Sequence, residues 1–258
     1  MMILAIDVGN TGTTIALFHE DGTLSFQSEL GADPNMTDDR CAIDLKGVFQ
    51  LYQADLGAVK GAILSSVVPP VMPVYVRTLR RLTGKAPLVV GPGLKTGLNI
   101  RAEVHNQLGS DIVASAVAAA ALYPTPAIVI NSRTAVTFSY LSANTFEGCA
   151  IMPGIGIALD ALSRYGAQLP QISMAQVDTP LGRNTVDSMR AGVLYGYSGA
   201  FDRVIQSLEE AAGTPAQTVV ATGNQAPALY QHCRREIRYD HDLLVKGLYL
   251  LYRKNVKC

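Results

Sequence analysis

The sequence lacks an excess of charge of either sign. Its 258 residues include 21 basic and 21 acidic side chains, which give a formal net charge of zero. These charges are dispersed along the chain, so no electrostatic field favours a polyanion. We therefore expect neither nucleic acid nor an anionic membrane surface as a main partner.

Cysteine is scarce, and so are long apolar runs at the start of the chain. The four cysteines, Cys41, Cys149, Cys233 and Cys258, form no C-x-x-C pair and no zinc-ligand spacing with the four histidines. The N-terminus MMILAIDVGN has no basic segment and soon reaches an aspartate, so it resembles neither a signal peptide nor a membrane span. We expect reduced thiols in a soluble, cytoplasmic protein.

Linkers and low-complexity segments are also missing, and the 48% hydrophobic content is typical of a compact globular chain. Three hairpin-linked strands come first, followed by a helix, a strand, a helix and a strand. The pattern starts again with strands near residues 127–131, 134–141 and 145–151. We predict an α/β fold of two related, facing halves, residues 1–110 and 111–258, each with a mixed sheet in β-β-β-α-β-α-β order.

The first predicted turn has the residues of a phosphate loop. The segment DVGNT, residues 7–11, lies between two predicted strands. Gly9 and Asn10 can take positive φ, exposed N–H groups can point at phosphate oxygens, and Thr11 adds a hydroxyl. Asp7 can hold Mg²⁺ through water. The same residues also suit an ordinary hairpin that contains asparagine.

A second turn occupies the equivalent place in the second half. The segment INSRTAVT, residues 130–137, also lies between predicted strands. A phosphate turn is expected to have glycine for close backbone approach and a carboxylate for cations, but those places hold Arg133 and Asn131. Two phosphate hairpins on facing halves are the arrangement of the sugar kinase, Hsp70 and actin superfamily. This arrangement predicts two actin-like (ribonuclease H-like) halves.

Motifs along nearly the whole chain carry a family resemblance. In order, they are DVGNT, SSVVP, TGLNI followed by GSD, RTA, AIMPG, ALSRYGAQLP, LGRNTVDSMRAG, ATG and DLLVKGLYLLY. In this order and spacing the chain resembles the type III pantothenate kinases. The resemblance implies ATP and Mg²⁺ as cofactors and phosphorylation of the pantothenate hydroxyl in the first step of coenzyme A biosynthesis. It also implies a homodimer with the active site near the interface.

The resemblance also assigns roles to individual residues. Asp111, in GSDI, matches the general base, although such an Asp is more often a plain N-cap or first-turn carboxylate. The residues implied in ATP binding are Asp7, Val8, Gly9, Asn10, Thr11, Gly12, Thr13, Thr14, Arg133, Thr134 and Gly223. Those implied in substrate binding are Ala102, Gly109, Ser110, Asp111, Ile112 and Thr185. For metals, Asp7 matches a Mg²⁺ ligand through water, and Asn131 has the position of a monovalent cation ligand.

Several positions depart from the family pattern. Residues of the family pattern are replaced at six positions: Asp by Asn131, Gly by Arg133, Arg by Ile112, Tyr by Ala102, and Gly by both Cys149 and Asn224. Isoleucine has no hydrogen-bond donor. Without the arginine fork, the binding free energy of a substrate carboxylate is therefore less favourable by about 2 to 5 kcal/mol. Arg133 admits three readings: a side chain with no role, a block in the phosphate pocket, or a substitute for the cation.

These departures leave three functions open. The first is a type III pantothenate kinase-like phosphotransferase that acts on pantothenate. The second is a kinase whose altered pocket takes a different small alcohol without a carboxylate. The third is a catalytically silent dimer that binds nucleotide or pantothenate-like ligands in a regulatory role.

Overall fold

The computed structural model describes residues 2–101, 108–175, 177, 179–224 and 227–256, and the chain forms two compact units. The first unit contains Met1–Leu98, Ala102–Ala118 and Asp242–Cys258, and the second contains Asn99–Arg101 and Ala119–His241. These units differ from the contiguous halves 1–110 and 111–258 that the sequence suggested. The difference arises because apolar residues near both ends of the second predicted half pack on the first sheet.

The first unit is built on a five-stranded sheet. Its elements are β1 (Met2–Val8), β2 (Gly12–His19), β3 (Leu24–Gly31), α1 (Asp38–Leu51), β4 (Val59–Ser66), α2 (Met72–Thr83) and β5 (Leu88–Val89). The strand order is β3-β2-β1-β4-β5, with β1 antiparallel to β2 and parallel to β4. The central strand β1 is apolar apart from Asp7, as expected for a strand covered on both faces.

Helices cover both faces of this sheet. On one face, α1 and α2 bury residues such as Leu45 and Leu79 against Leu4 and Leu64. On the other face lie α3 (Ser110–Leu122) and α7 (Leu243–Asn255). These two helices approach closely because Gly247 has no side chain, and a Cβ there would clash with the carbonyl of Ala114. The sheet thereby fixes the start of α3, which carries Asp111.

The second unit repeats the strand arrangement of the first. Its elements are β6 (Asn99–Ile100), β7 (Ala127–Ser132), β8 (Ala135–Ser142), β9 (Thr145–Pro153), α4 (Ile155–Tyr165), α5 (Thr185–Ala212), β10 (Thr218–Thr222), α6 (Pro227–Tyr230) and β11 (Arg238–Tyr239). The order β11-β10-β7-β8-β9-β6 matches the first sheet, with β6 added at one edge. Two helices, α4 and α5, lie between β9 and β10 along the chain.

The core of the second unit joins this sheet to α5. Phe138 on β8 and Phe201 on α5 are fully buried and meet edge to face, with ring centroids 5.0 Å apart. Helix α5 is capped at its start by Asn184, whose side chain accepts a hydrogen bond from the Asp187 N–H, and at its end by Gly213. Among the described residues, no helix combines the length and apolar character that a membrane span needs.

Candidate active site

The first turn is a tight reversal between β1 and β2. The Gly9 N–H donates to the Gly12 carbonyl at 2.9 Å, and Asn10 and Thr11 are exposed at the tip. Gly9 and Asn10 can take positive φ, but neither has one in this turn. A β-turn with negative φ at both central positions reverses the chain without it. The tip still presents backbone groups and the Thr11 side chain outward.

Below the turn, a row of buried polar side chains crosses the first sheet. Asp7 on β1 pairs with Thr14 on β2 and Ser65 on β4, so the three side chains share one face. All three residues are at most 2% exposed. The Ser65 hydroxyl donates to Asp7 Oδ1 at 2.6 Å, which is the length of a charge-assisted hydrogen bond. The carboxylate of Asp7 is therefore held in a fixed orientation.

This row extends to the start of α3. Ser65 Oγ lies 2.9 Å from Ser110 Oγ, and Ser110 directly precedes Asp111. The Asp111 carboxylate folds over Gly109, and a Cβ on that residue would force Asp111 Oδ1 to shift. Asp111 is partly exposed in the first turn of the helix, where the positive end of the helix dipole favours its charge. The first unit thus connects Asp7 and the predicted base through two serines.

The other predicted substrate residues have different environments. Ile112 is 8% exposed and presents only hydrocarbon where the family pattern has an arginine. Thr185 is the first residue of α5 in the second unit and is exposed. Ala102 lies outside the described residues. Ile112 therefore has no donor with which to hold a substrate carboxylate.

The second turn lies between two glycines. The Arg133 N–H donates to the Ala135 carbonyl at 3.0 Å, and the Gly154 N–H donates to the Thr134 carbonyl at 3.0 Å. A Cβ on Gly154 would clash with the carbonyls of Arg133 and Thr134, and one on Gly223 would clash with the Ser132 carbonyl. Gly223 also has a φ of +96°, a conformation that favours glycine. Both glycines are therefore required by close backbone approach to this turn.

A second polar row lies below this turn. Asn131 on β7 pairs with Thr137 on β8 and Thr222 on β10, in the same places as Asp7, Thr14 and Ser65 in the first sheet. Asn131 is 3% exposed, and its Oδ1 has no hydrogen-bond partner among the described residues. The second unit thus has an uncharged amide where the first unit has a carboxylate.

The two metal predictions differ in how well the residues fit. Asp7 is a rigid carboxylate below the first turn, and it fits the role of a Mg²⁺ ligand through water. At Asn131 the oxygen donors are uncharged, and Arg133 adds a positive charge two residues on. This set does not fit a monovalent cation held by a carboxylate. Among the described residues, no cluster of three or more His, Cys, Asp or Glu side chains could hold a metal ion.

Titration shifts near the second turn come from burial. Burial raises the pKa of the Tyr230 hydroxyl, and the neighbouring Ser132 partly offsets the rise. Burial likewise raises the pKa of the Cys149 thiol. Both groups are therefore neutral at physiological pH, and neither provides a thiolate or phenolate nucleophile.

Sequence reasoning assigns no role to Ser65. Its signal is the motif SSVVP, in which two serines end a buried strand. Recognising that this strand lies parallel to β1 would have placed Ser65 beside Asp7. The pairing partner of a strand is a tertiary property that its own residues do not specify.

Comparison with known proteins identifies relatives of this chain in sequence and in fold. The family model of type III pantothenate kinases matches residues 3–207. Over 255 residues the chain is 37% identical to the type III pantothenate kinase of Bacillus cytotoxicus, covering 98% of this chain and 97% of that protein. It is 38% identical over 255 residues to that of Listeria innocua, covering 98% of each. Component A of the Acidaminococcus fermentans (R)-2-hydroxyglutaryl-CoA dehydratase has a similar fold, with a TM-score of 0.56 at 14% identity over 96% of this chain and 97% of that one.

The fold is therefore that of the actin-like ATPases and sugar kinases, and the relatives define its class as ATP-dependent kinases. Within this class, the chain belongs to the type III pantothenate kinase family. The predicted family, fold class and kinase class are confirmed. The roles assigned to single residues stay predictions.

Proposed function

We propose that the chain transfers the γ-phosphoryl group of ATP to the hydroxyl of pantothenate, the first step of coenzyme A biosynthesis. The observation that carries this proposal is the hydrogen-bonded series Asp7, Ser65 and Ser110, which ends beside Asp111. It joins the carboxylate below the first turn to the predicted base within one unit. This arrangement supports transfer chemistry, for which positioning and charge matter more than proton transfer.

In the proposed reaction, Asp111 acts on the acceptor. The substrate oxygen forms a bond to the γ-phosphorus as the bond to the bridging oxygen breaks, and ADP leaves. The proton of the attacking hydroxyl passes to the Asp111 carboxylate. Gly109 allows this carboxylate to lie close to the backbone, and the positive end of the helix dipole favours its charge.

The two turns are proposed to hold the nucleotide. The exposed tip of the first turn, Asn10 and Thr11, offers donors to phosphate oxygens, and Thr134 offers a hydroxyl in the second turn. Asp7 would hold Mg²⁺ through water, and the bound ion would neutralise charge on the transferring phosphate. Because the set around Asn131 does not fit a carboxylate-held cation, we assign the positive charge of the second turn to Arg133.

A homodimer is proposed from an apolar surface on the second unit. On α4, the residues Ile157, Leu162 and Tyr165 are 44%, 40% and 85% exposed. A groove of about 510 Å³ between α4 and α5 is lined by Met152, Leu162, Met189 and Val193, among others. A second copy would remove this hydrocarbon from water. We also propose a cytoplasmic location, where the thiols would stay reduced.

A second candidate function follows from one observation, the burial of Ile112. Its hydrocarbon side chain suits an acceptor alcohol that has no carboxylate near this position. In this case the phosphoryl chemistry is unchanged, and only the substrate differs.

ATP turnover should be measured with pantothenate and with a panel of small alcohols, with and without carboxylates, while ADP affinity is measured by calorimetry. Turnover with pantothenate is the expected result. Turnover only with uncharged alcohols would support the second candidate. Nucleotide binding without turnover on any alcohol would contradict both candidates and indicate a silent ligand-binding dimer.

A further inference from the structure

One aromatic side chain of the second unit lies beside a predicted nucleotide motif without a role in the assignments above. Tyr239 lies on β11, where it pairs in register with Ala221, two residues before Gly223. Its hydroxyl donates to the Gly223 carbonyl at 2.9 Å, yet the residue is 40% exposed. The polar end of the side chain is thus engaged by the loop after β10, while part of the ring reaches solvent.

The loop that Tyr239 holds is conformationally demanding. Gly223 is buried, has positive φ and presses against the Ser132 carbonyl. Because glycine has many accessible backbone conformations, an isolated loop of this kind would populate several orientations of the peptide that follows Gly223. The hydrogen bond from Tyr239 selects one of them. It therefore sets the direction of the next residue, Asn224, which is exposed.

Other rings support Tyr239 from behind. The Tyr230 ring centroid lies 5.9 Å away and that of His241 lies 6.3 Å away. Tyr230 is buried in the core of the second unit. An aromatic ring that is braced by neighbours and anchored at its hydroxyl offers a surface that is already ordered before a ligand arrives.

We propose that Tyr239 positions the nucleoside part of ATP, through its hydrogen bond to Gly223 and through the exposed part of its ring. This inference rests on the proposed function, because it takes Gly223, which the family resemblance implies in ATP binding, as part of the nucleotide site. Tyr239 then acts on the base and ribose, whereas the turn around Arg133 acts on the phosphates. A purely structural tyrosine would instead affect stability without distinguishing these two parts of the ligand.

The test compares ADP with tripolyphosphate, which has no nucleoside, as ligands of the full-length protein. Tyr239→Phe removes the hydroxyl and keeps the ring, and Tyr239→Leu removes both. Tyr140→Phe is the matched control, because its hydroxyl donates to the Thr214 carbonyl at 2.8 Å in the same unit. Dissociation constants are measured by calorimetry, and thermal unfolding establishes that each variant is folded.

Tyr239→Phe should weaken ADP binding about three- to tenfold, as expected for one lost hydrogen bond, and Tyr239→Leu should weaken it further. The affinity for tripolyphosphate should stay within about twofold of the wild-type value in both variants. Tyr140→Phe should leave the affinity for both ligands unchanged. Unchanged ADP affinity in folded Tyr239→Phe, or an equal loss for tripolyphosphate, would overturn the inference while leaving the kinase proposal standing. A wild-type protein that binds no ADP would overturn both.

Discussion

At the scale of single residues, Asp111 combines the properties of a helix-terminal carboxylate and of a base. Its position in the first turn of α3 would stabilise the helix in any protein. Two further features distinguish it: its carboxylate folds over Gly109, and Ser110 contacts the serine that holds Asp7. These contacts link Asp111 to the predicted phosphate site, and a stabilising role alone does not need them.

Replacing Asp111→Asn is expected to abolish phosphoryl transfer and to leave ADP affinity within about twofold, because the base acts on the acceptor and not on the nucleotide. Turnover and calorimetry provide the two readouts. Asp39→Asn is the matched control, since Asp39 is also an acidic residue in a first turn, in α1, and its side chain is 85% exposed. Full turnover in Asp111→Asn would remove this residue from the mechanism.

Ile112 allows a test of acceptor identity. Ile112→Arg should lower the KM for pantothenate by at least about tenfold, because a guanidinium restores a partner for the carboxylate. The site is buried, so the uncompensated charge should lower the melting temperature without ligand, and pantothenate should recover the loss. Ile112→Met, which adds no charge, should show neither effect. If the KM stays flat in folded Ile112→Arg, the pocket differs at more than this position.

Single residues also show where sequence reasoning succeeded and failed. The sequence placed Asp7 in the turn after an apolar run, whereas the structure places it within β1, where it is buried. Gly9 and Asn10 do not have positive φ in the structure, since glycine and asparagine permit that conformation without requiring it. The contact from Ser65 to Asp7 spans 58 residues and depends on strand pairing. Local pattern therefore identified candidate residues but could not supply the hydrogen bonds between them.

At the scale of elements, the second turn is intact despite its altered residues. Arg133 replaces the glycine of the family pattern, but its φ is not positive, so the exchange places no strain on the backbone. Gly154 and Gly223 still press against the turn on either side. What has changed is charge: an amide and a guanidinium stand where the family pattern has a carboxylate and no side chain. The turn therefore retains its backbone shape, but the charges of its side chains differ from those of the family pattern.

This exchange predicts indifference to the monovalent cation. If Arg133 supplies the charge, replacing K⁺ by Na⁺ or by a bulky organic cation at fixed ionic strength should change ATP affinity by less than about twofold. The double variant Asn131→Asp with Arg133→Gly should become K⁺ dependent, because it restores the carboxylate and removes the competing guanidinium. Calorimetry of ATP binding in each salt provides the measurement.

The single variants separate substitution from blockage. Under substitution, each should bind ATP more weakly than the pair, since Asp beside Arg forms an ion pair and Asn beside Gly leaves phosphate charge uncompensated. Under blockage, Arg133→Gly alone should strengthen ATP binding in every salt. A wild-type protein that already requires K⁺ would contradict substitution and would mean that other groups hold the cation.

The elements themselves were predictable to different degrees. Strands β7, β8 and β9 were expected within a few residues of their bounds, because each has a clear apolar pattern. The two-residue strands β6 and β11 were not expected, since such short strands have no periodicity. Their existence depends on a neighbouring strand that offers free backbone groups. β11 carries Tyr239, so this omission also hid a residue of the candidate site.

At the scale of the whole molecule, the path of the chain between the units was the least predictable feature. The periodicity of α7 identifies an apolar face, but it does not say which sheet that face covers. In the structure, Leu244 and Leu248 pack with Ile3 and Ala5 of the first sheet, and the Tyr249 hydroxyl donates to the Glu20 carbonyl at 2.7 Å. The first unit is therefore completed by the last residues of the chain, and removing α7 would expose that face of its sheet.

The apolar surface of α4 carries the prediction about assembly. Leu162→Asp and Ile157→Asp each place a charge on a surface that is proposed to be covered by a second copy, so either change should convert the dimer to a monomer. Light scattering after gel filtration measures the mass, which for one chain is 27.5 kDa. If the active site depends on the partner, turnover should fall with dimer content and recover at high protein concentration.

The control for this assembly prediction is Leu51→Asp. Leu51 is 72% exposed and is the last residue of α1 in the first unit, whereas α4 belongs to the second unit. The same substitution there should leave both mass and turnover unchanged, because it alters an exposed hydrocarbon that no second copy is proposed to cover. A wild-type protein that is monomeric at every concentration would refute the proposed dimer. A dimer that survives both α4 substitutions would instead place the interface on another surface, and the exposed residues of α4 would need a different occupant.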